Sequence, residues 1–220
     1  MVTSMSMCRF PVTSSKSKGS KEANLDDLSP MAYLPISLYI QLVFAHCDLL
    51  CGNIILLPGS SAAEDGESQP SVRFIDYEYA TPSPAAFDIA NHFAEWGGFD
   101  CDYNAMPTQA QRRLFVLEYV RTYFGLLARS DGQRHVATAE LETEATKLMA
   151  EIDEYRGIPG LYWGIWASIQ AVISEIDFDY SSYADLRLAE YWAWRAQRDG
   201  SLSTKSCDMP LRESKWAQAE

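Results

Sequence analysis

Two short stretches hold the residue types that could do chemistry: FAHCDLLCGN at Phe44 to Asn53 and FIDYEY at Phe74 to Tyr79. In the first, His46 stands two residues before Asp48, and Asn53 follows five residues later. In the second, Asp76 leaves the end of a short apolar run. A carboxylate can accept the proton of an attacking hydroxyl. An amide oxygen and a second carboxylate supply the hard donors that magnesium prefers when it bridges nucleotide phosphates. The spacing is therefore that of phosphoryl transfer, with Asp48 as the catalytic base and Asn53 and Asp76 as Mg2+ ligands. His46 alone reads as a capped loop histidine; within the full pattern His46, Glu78 and Asp88 are read as supporting residues.

These groups converge only if the chain folds back between them. Ile54 to Leu57 is an apolar run closed by Pro58-Gly59, residues 59–71 are polar and rich in Gly and Ser, and Val72 to Tyr77 is apolar again. Two short strands joined by a surface loop predict a β-hairpin with Asn53 before one strand and Asp76 after the other. Upstream, PISLYIQLVFAH predicts a short helix entering a buried strand. After TPSPAAF the pattern turns helical, with Pro84 suited to a first turn. Asp88 and His92 lie four apart on that helix with Asn91 beside them. They read either as a surface pair or as Asp88 tying the helix to the catalytic loop. A second helix opens at Pro107 with Leu114, Leu117, Val120 and Phe124 on one face. A third, Ala137 to Tyr155, turns Leu141, Leu148 and Ile152 inward. A fourth, Tyr162 to Ile176, carries Ile165, Trp166, Ile169, Val172, Ile173 and Ile176 at helical spacing, and Tyr183 to Arg198 forms the fifth. The fold class expected is α+β, mainly helical.

Composition narrows the rest. The chain has 220 residues, 47% of them hydrophobic, enough for one domain or one large lobe with a sizeable core. A net charge of −12 argues against a nucleic-acid or anionic-membrane surface, which needs clustered Lys and Arg. No apolar run is long enough to span a bilayer. Five scattered cysteines, an odd count without a CxxC pair, read as reduced thiols of a cytoplasmic protein. Residues 1–34, rich in Ser and Lys, are expected to be disordered, residues 35–199 to form the folded unit, and residues 200–220 to be a flexible tail.

An aromatic set also needs weighing. Trp163 and Trp166 are three apart on the fourth helix, and Phe178, Tyr180 and Tyr183 follow it. By spacing alone they are core. With acids nearby, aromatic faces also make a cage for an ammonium ion, and Glu95 and Asp102, close to Trp96 and Tyr103, are the acids on offer.

The segments FAHCDLLCGNII, VRFIDYEYATPSPAAFDIANHFAEWGGFDCDY and LYWGIWASIQAVISEIDFDYSSYADLRLAEYW, in that order from about Phe44 to Trp194, resemble the choline/ethanolamine kinases, the EWGGFDCDY form most of all the fungal-type ethanolamine kinases. The resemblance implies ATP-dependent phosphorylation of a small amino alcohol, the first step towards phosphatidylethanolamine, on a protein-kinase-like fold whose C-terminal lobe this chain would be. Asp48 matches the family's catalytic aspartate, and Asn53 and Asp76 its metal ligands. Glu95, Tyr103, Trp163, Trp166 and Tyr183 fall where the family lines its amino-alcohol pocket. Cys47 stands where many relatives carry Asn. The family places a nucleotide-binding lobe before the HxD segment; only 45 residues precede His46 here, so that lobe is expected to be absent and turnover by this chain weak. Choline kinase activity, or a role as a non-catalytic partner or fragment of a full-length kinase, are the alternatives this leaves, and a dimer with itself or with a full-length relative is the partner arrangement to expect.

Overall fold

The structure, a computed structural model, describes residues 42–57, 71–131, 137–201 and 210–220. The segment 1–34, the stretch 35–41, loop residues 59–70, Cys8 and Cys207 lie outside the described residues. The described chain is a mainly helical α+β fold. Strands β1 (Leu42–Ala45), β2 (Ile54–Leu57), β3 (Ser71–Phe74) and β4 (Thr81–Pro84) precede helices α1 (Ala85–Ala94), α2 (Gln109–Asp131), α3 (Thr138–Tyr155), α4 (Ile158–Ile173), α5 (Tyr180–Arg198) and α6 (Leu211–Trp216).

The expected hairpin is present: β2 and β3 pair antiparallel, Ile54 opposite Phe74 and Leu57 opposite Ser71. The Asn53 carbonyl accepts from the Ile75 N–H at 3.1 Å, which carries the pairing one step further and sets Asn53 beside the entry to Asp76. A second sheet was not expected. In it β1 pairs antiparallel with β4, Leu42 opposite Pro84 and Ala45 opposite Thr81. The TPSP sequence hides this strand, because Pro82 and Pro84 have no N–H. The donors left, Thr81 and Ser83, alternate as an edge strand requires. Pro84 then caps α1 from outside, with φ −58° and ψ 135°, instead of occupying its first turn.

The main core gathers Val43 and Ala45 of β1, Ala86, Ile89, Ala90 and Phe93 of α1, Val116 and Val120 of α2, and Leu148 and Ile152 of α3. Helix α2 begins with a reciprocal cap. Thr108 Oγ1 accepts from the Gln111 N–H at 3.3 Å, and Gln111 Oε1 accepts from the Thr108 N–H at 2.9 Å. Its buried stripe is Arg112, Val116, Tyr119, Val120 and Tyr123, whereas Leu114 is 68% exposed. The aliphatic face read from sequence is therefore rotated, because Arg112 lies inside, 3.9 Å over the Trp216 ring.

Helix α4 departs furthest from expectation. It packs on α5 through small residues: a Cβ at Gly160 would sit 2.6 Å from the Arg187 carbonyl oxygen, and one at Gly164 would sit 2.7 Å from Leu188 Cγ. With Gly160, Trp163, Gly164 and Ala167 turned inward, the bulky aliphatics point out. Ile165, Ile169, Val172 and Ile173 are all more than half exposed, Val172 by 84%. Ile176 is exposed too, beyond the end of the helix. The 210–220 stretch also differs from the loose tail its composition suggests. Trp216 is buried and donates to Asp153 Oδ1 at 2.8 Å. The carbonyls of Gln218 and Ala219 accept from the first N–H groups of α2 at 2.9 and 3.2 Å. No helix among the described residues is long and apolar enough to cross a membrane.

Candidate active site

The segment His46–Leu49 leaves β1 as a loop that turns at Cys47, and a loop there must find partners for its backbone groups. Helix α1 supplies them from one face. Asp88 accepts from the His46 N–H at 3.1 Å and the Cys47 N–H at 2.8 Å. Asn91 Nδ2 donates to the Cys47 carbonyl at 2.9 Å, and His92 Nδ1 donates to the Leu49 carbonyl at 2.8 Å. Asp88 thus grips the loop and does not form the surface pair with His92. Burial lowers the pKa of His92, so the ring is neutral, and its Nε2 accepts from Trp96 Nε1 at 3.3 Å. Cys47, at the top of the turn, has φ 62°, a left-handed conformation that Asn tolerates better than Cys. Burial pushes its thiol up to about 12, so it stays protonated.

Asp48 emerges from this clamp nearly buried. Asn53 Nδ2 donates to its carbonyl at 2.8 Å and to its Oδ2 at 3.1 Å, which fixes the carboxylate and leaves the Asn53 amide oxygen as a donor atom for a cation. His46 joins the two motif stretches, with Nε2 donating to the Ile75 carbonyl at 2.9 Å just before Asp76. Asp76 itself takes φ 64°. Burial pushes the Asp48 carboxyl up to about 6, opposed by His46 and the Asn53 hydrogen bond and reinforced by the charges of Asp76 and Glu78. Asp76 and Glu78 are exposed beside it. Among the described residues no trio of His, Cys, Asp or Glu converges as a self-sufficient metal cage. The donors fit instead a hard ion that keeps water and phosphate oxygens in its shell, as magnesium does.

The aromatic residues form a continuous wall next to this loop. Trp163 Nε1 donates to Asn91 Oδ1 at 2.8 Å, and Trp166 Nε1 donates to the Tyr79 hydroxyl at 2.9 Å. Ring centroids run Tyr79–Trp163 at 5.3 Å, Trp163–Trp166 at 5.6 Å, Trp166–Tyr180 at 5.7 Å and Phe178–Tyr183 at 5.7 Å. Trp163 and Tyr183 are buried members of a small second core, while Trp166, Tyr103 and Tyr79 are only partly covered. Glu95 is buried against this wall, its Oε1 accepting from Arg187 Nη2 at 3.3 Å. Burial pushes its carboxyl up to about 7, Arg187 pulling the other way. Asp102 is not part of the wall: it is exposed and accepts from the Asn104 N–H at 3.0 Å as a local cap.

Sequence reasoning missed Tyr79 and Arg187. Tyr79 lies inside the second motif, but the burial that raises its hydroxyl, the hydrogen bond it accepts from Trp166 and the nearby charges of Glu78, Asp48 and Asp76 are seen only in the fold. Arg187 sits three residues from Glu190 and so reads as an ordinary surface ion pair.

A family model described as choline/ethanolamine kinase matches residues 18–192. A probable ethanolamine kinase of Nematostella vectensis is 39% identical over 152 residues, which is 69% of this chain and 39% of that protein. A probable choline kinase 3 of Arabidopsis thaliana is 31% identical over 183 residues, 79% of this chain and 46% of its own length. Among solved structures, the ethanolamine kinase of Plasmodium vivax superposes with a TM-score of 0.54 at 29% identity, covering 81% of this chain and 37% of that one. The chain belongs to the choline/ethanolamine kinase family. It spans less than half the length of these relatives.

Proposed function

We propose that these residues are the acceptor side of an ethanolamine kinase, arranged as the C-terminal lobe of a protein-kinase-like fold over 35–199 and transferring the γ-phosphoryl of ATP to the hydroxyl of ethanolamine. The observation that carries the reading is the Asn91 bridge. One amide joins the Asp48 loop to Trp163, so base and aromatic wall are parts of a single rigid unit.

Asp48 takes the proton of the substrate hydroxyl as its oxygen bonds to the γ-phosphorus and the bond to the bridging oxygen of ADP breaks. Asn53 steers the carboxylate by its hydrogen bond. The Asn53 amide oxygen and the Asp76 carboxylate would hold Mg2+, which when bound offsets the negative charge of the phosphates. Glu95 faces the ammonium, and Trp163, Trp166, Tyr103 and Tyr183 enclose it. A buried acid suits a primary ammonium, which can donate hydrogen bonds, better than a trimethylated one, which cannot. That favours ethanolamine over choline. The free thiols Cys47, Cys51 and Cys101 agree with a cytoplasmic setting.

The test is transfer of labelled γ-phosphate from ATP, with magnesium, to ethanolamine and to choline. Ethanolamine is the expected better acceptor, and Asp48→Asn should lower turnover by roughly 10²–10⁴-fold. Turnover that survives this substitution, or a preference for choline, counts against the reading.

A further inference from the structure

A chain of buried charge starts at the pocket and runs to the C-terminal helix. From Glu95, Arg187 lies 3.3 Å away and reaches Glu190 at 3.5 Å; Glu190 meets Arg212 at 3.6 Å, Arg212 meets Glu213 at 3.3 Å, and Glu213 holds Arg156 at 2.7 Å. Arg187, Glu190, Arg212 and Glu213 are all buried. Apolar side chains of the same volume generally stabilise an interior as well as or better than buried ion pairs do, so packing alone gives no reason for the run. Its pocket end supplies one. Arg187 engages Glu95 through Oε1 and sits 5.8 Å over the Tyr183 ring, so the cation touches both an acid and an aromatic of the pocket.

We propose that Arg187 is a positioning residue of the amino-alcohol site: it fixes one oxygen of Glu95 and supplies the counter-charge that keeps the other available to a primary ammonium. This rests on the ethanolamine reading above. The groups facing Glu95 are Arg187, Glu190 and Tyr183 from α5, Asp48 from the loop, and Cys101, with Tyr103 beside Glu190 and Cys101 and His92 one turn back on α1. Burial, Asp48 and Glu190 raise the Glu95 carboxyl, and Arg187 is the cation that limits that rise to about 7. Without it the carboxyl stays protonated to higher pH and the ammonium loses its charged acceptor.

The experiment is calorimetric titration of ethanolamine into the full chain across neutral pH, repeated in an Asp48→Asn background to remove the Asp48 titration near 6. Affinity of the unaltered protein should rise as pH passes about 7. Arg187→Gln should weaken binding at neutral pH about tenfold and move that rise upward by about one pH unit. Arg187→Lys, which keeps the charge but not the planar fork, should fall between the two. If Arg187→Gln does not fold, the Lys variant carries the test. A folded variant with unchanged affinity and an unmoved pH profile reduces Arg187 to a structural pair and overturns the proposal alone. Absence of ethanolamine binding by the unaltered chain overturns the pocket reading, and this proposal with it.

Discussion

Asp48, the proposed base, shows how burying an acid costs stability. Its carboxyl, pushed up to about 6, is harder to ionise in the folded chain than in the unfolded one. Stability from this group is therefore full at acidic pH and is lost as pH rises through the folded value. Asp48→Asn should raise the thermal midpoint above about pH 6, by the equivalent of roughly 1–2 kcal/mol, and give no gain near pH 4; thermal unfolding at both pH values checks it. On the proposed mechanism the same ionisation should place an acidic limb near 6 in the turnover profile, since only the carboxylate accepts a proton. Asn53→Ala, which removes a hydrogen bond that favours the ionised form, should move that limb upward. The residues of this site were legible because the HxD–Asn–Asp spacing is chemical. What joins them was not: Tyr79 and Asn91 act across gaps of 87 and 72 residues that no local pattern records.

At the scale of elements, the helices and the hairpin followed from periodicity and turn residues, but which face each helix buries did not. Periodicity reports where apolar side chains lie on a helix. It does not report that α4 meets α5 through glycines, leaving its aliphatics outside. Gly160→Ala tests that contact. The new Cβ must push away the Arg187 backbone, so we expect a loss of about 2 kcal/mol together with weaker ethanolamine binding, since Arg187 and Tyr183 move with α5. Helix α6 was missed for a related reason. It is only six residues long and amphipathic in no obvious way, and its stability comes from Trp216 under Arg112 and from the buried Glu213. Trp216→Ala should cost about 3–5 kcal/mol by chemical denaturation, a large share of a small domain's stability.

At the scale of the molecule, the described residues of this strongly acidic chain include an apolar strip, Ile165 to Ile173 along α4 and Ile176 just beyond it. Contiguous apolar surface of that kind promotes association. Val172→Lys with Ile176→Lys should reduce concentration-dependent light scattering and leave the thermal midpoint unchanged, because neither side chain is buried. The last consequence concerns order in time. The β2–β3 hairpin closes over a short sequence separation and can form early. The backbone N–H groups of His46 and Cys47 wait for Asp88, 42 and 41 residues away, and Trp163 joins Asn91 from 72 residues off. Contacts of such long range generally form late, because their loop-closure entropy must be met first. On folding, the helices and the β2–β3 hairpin are therefore expected ahead of the β1–β4 pairing and the candidate site, and a refolding experiment should see helix signal return ahead of ligand binding.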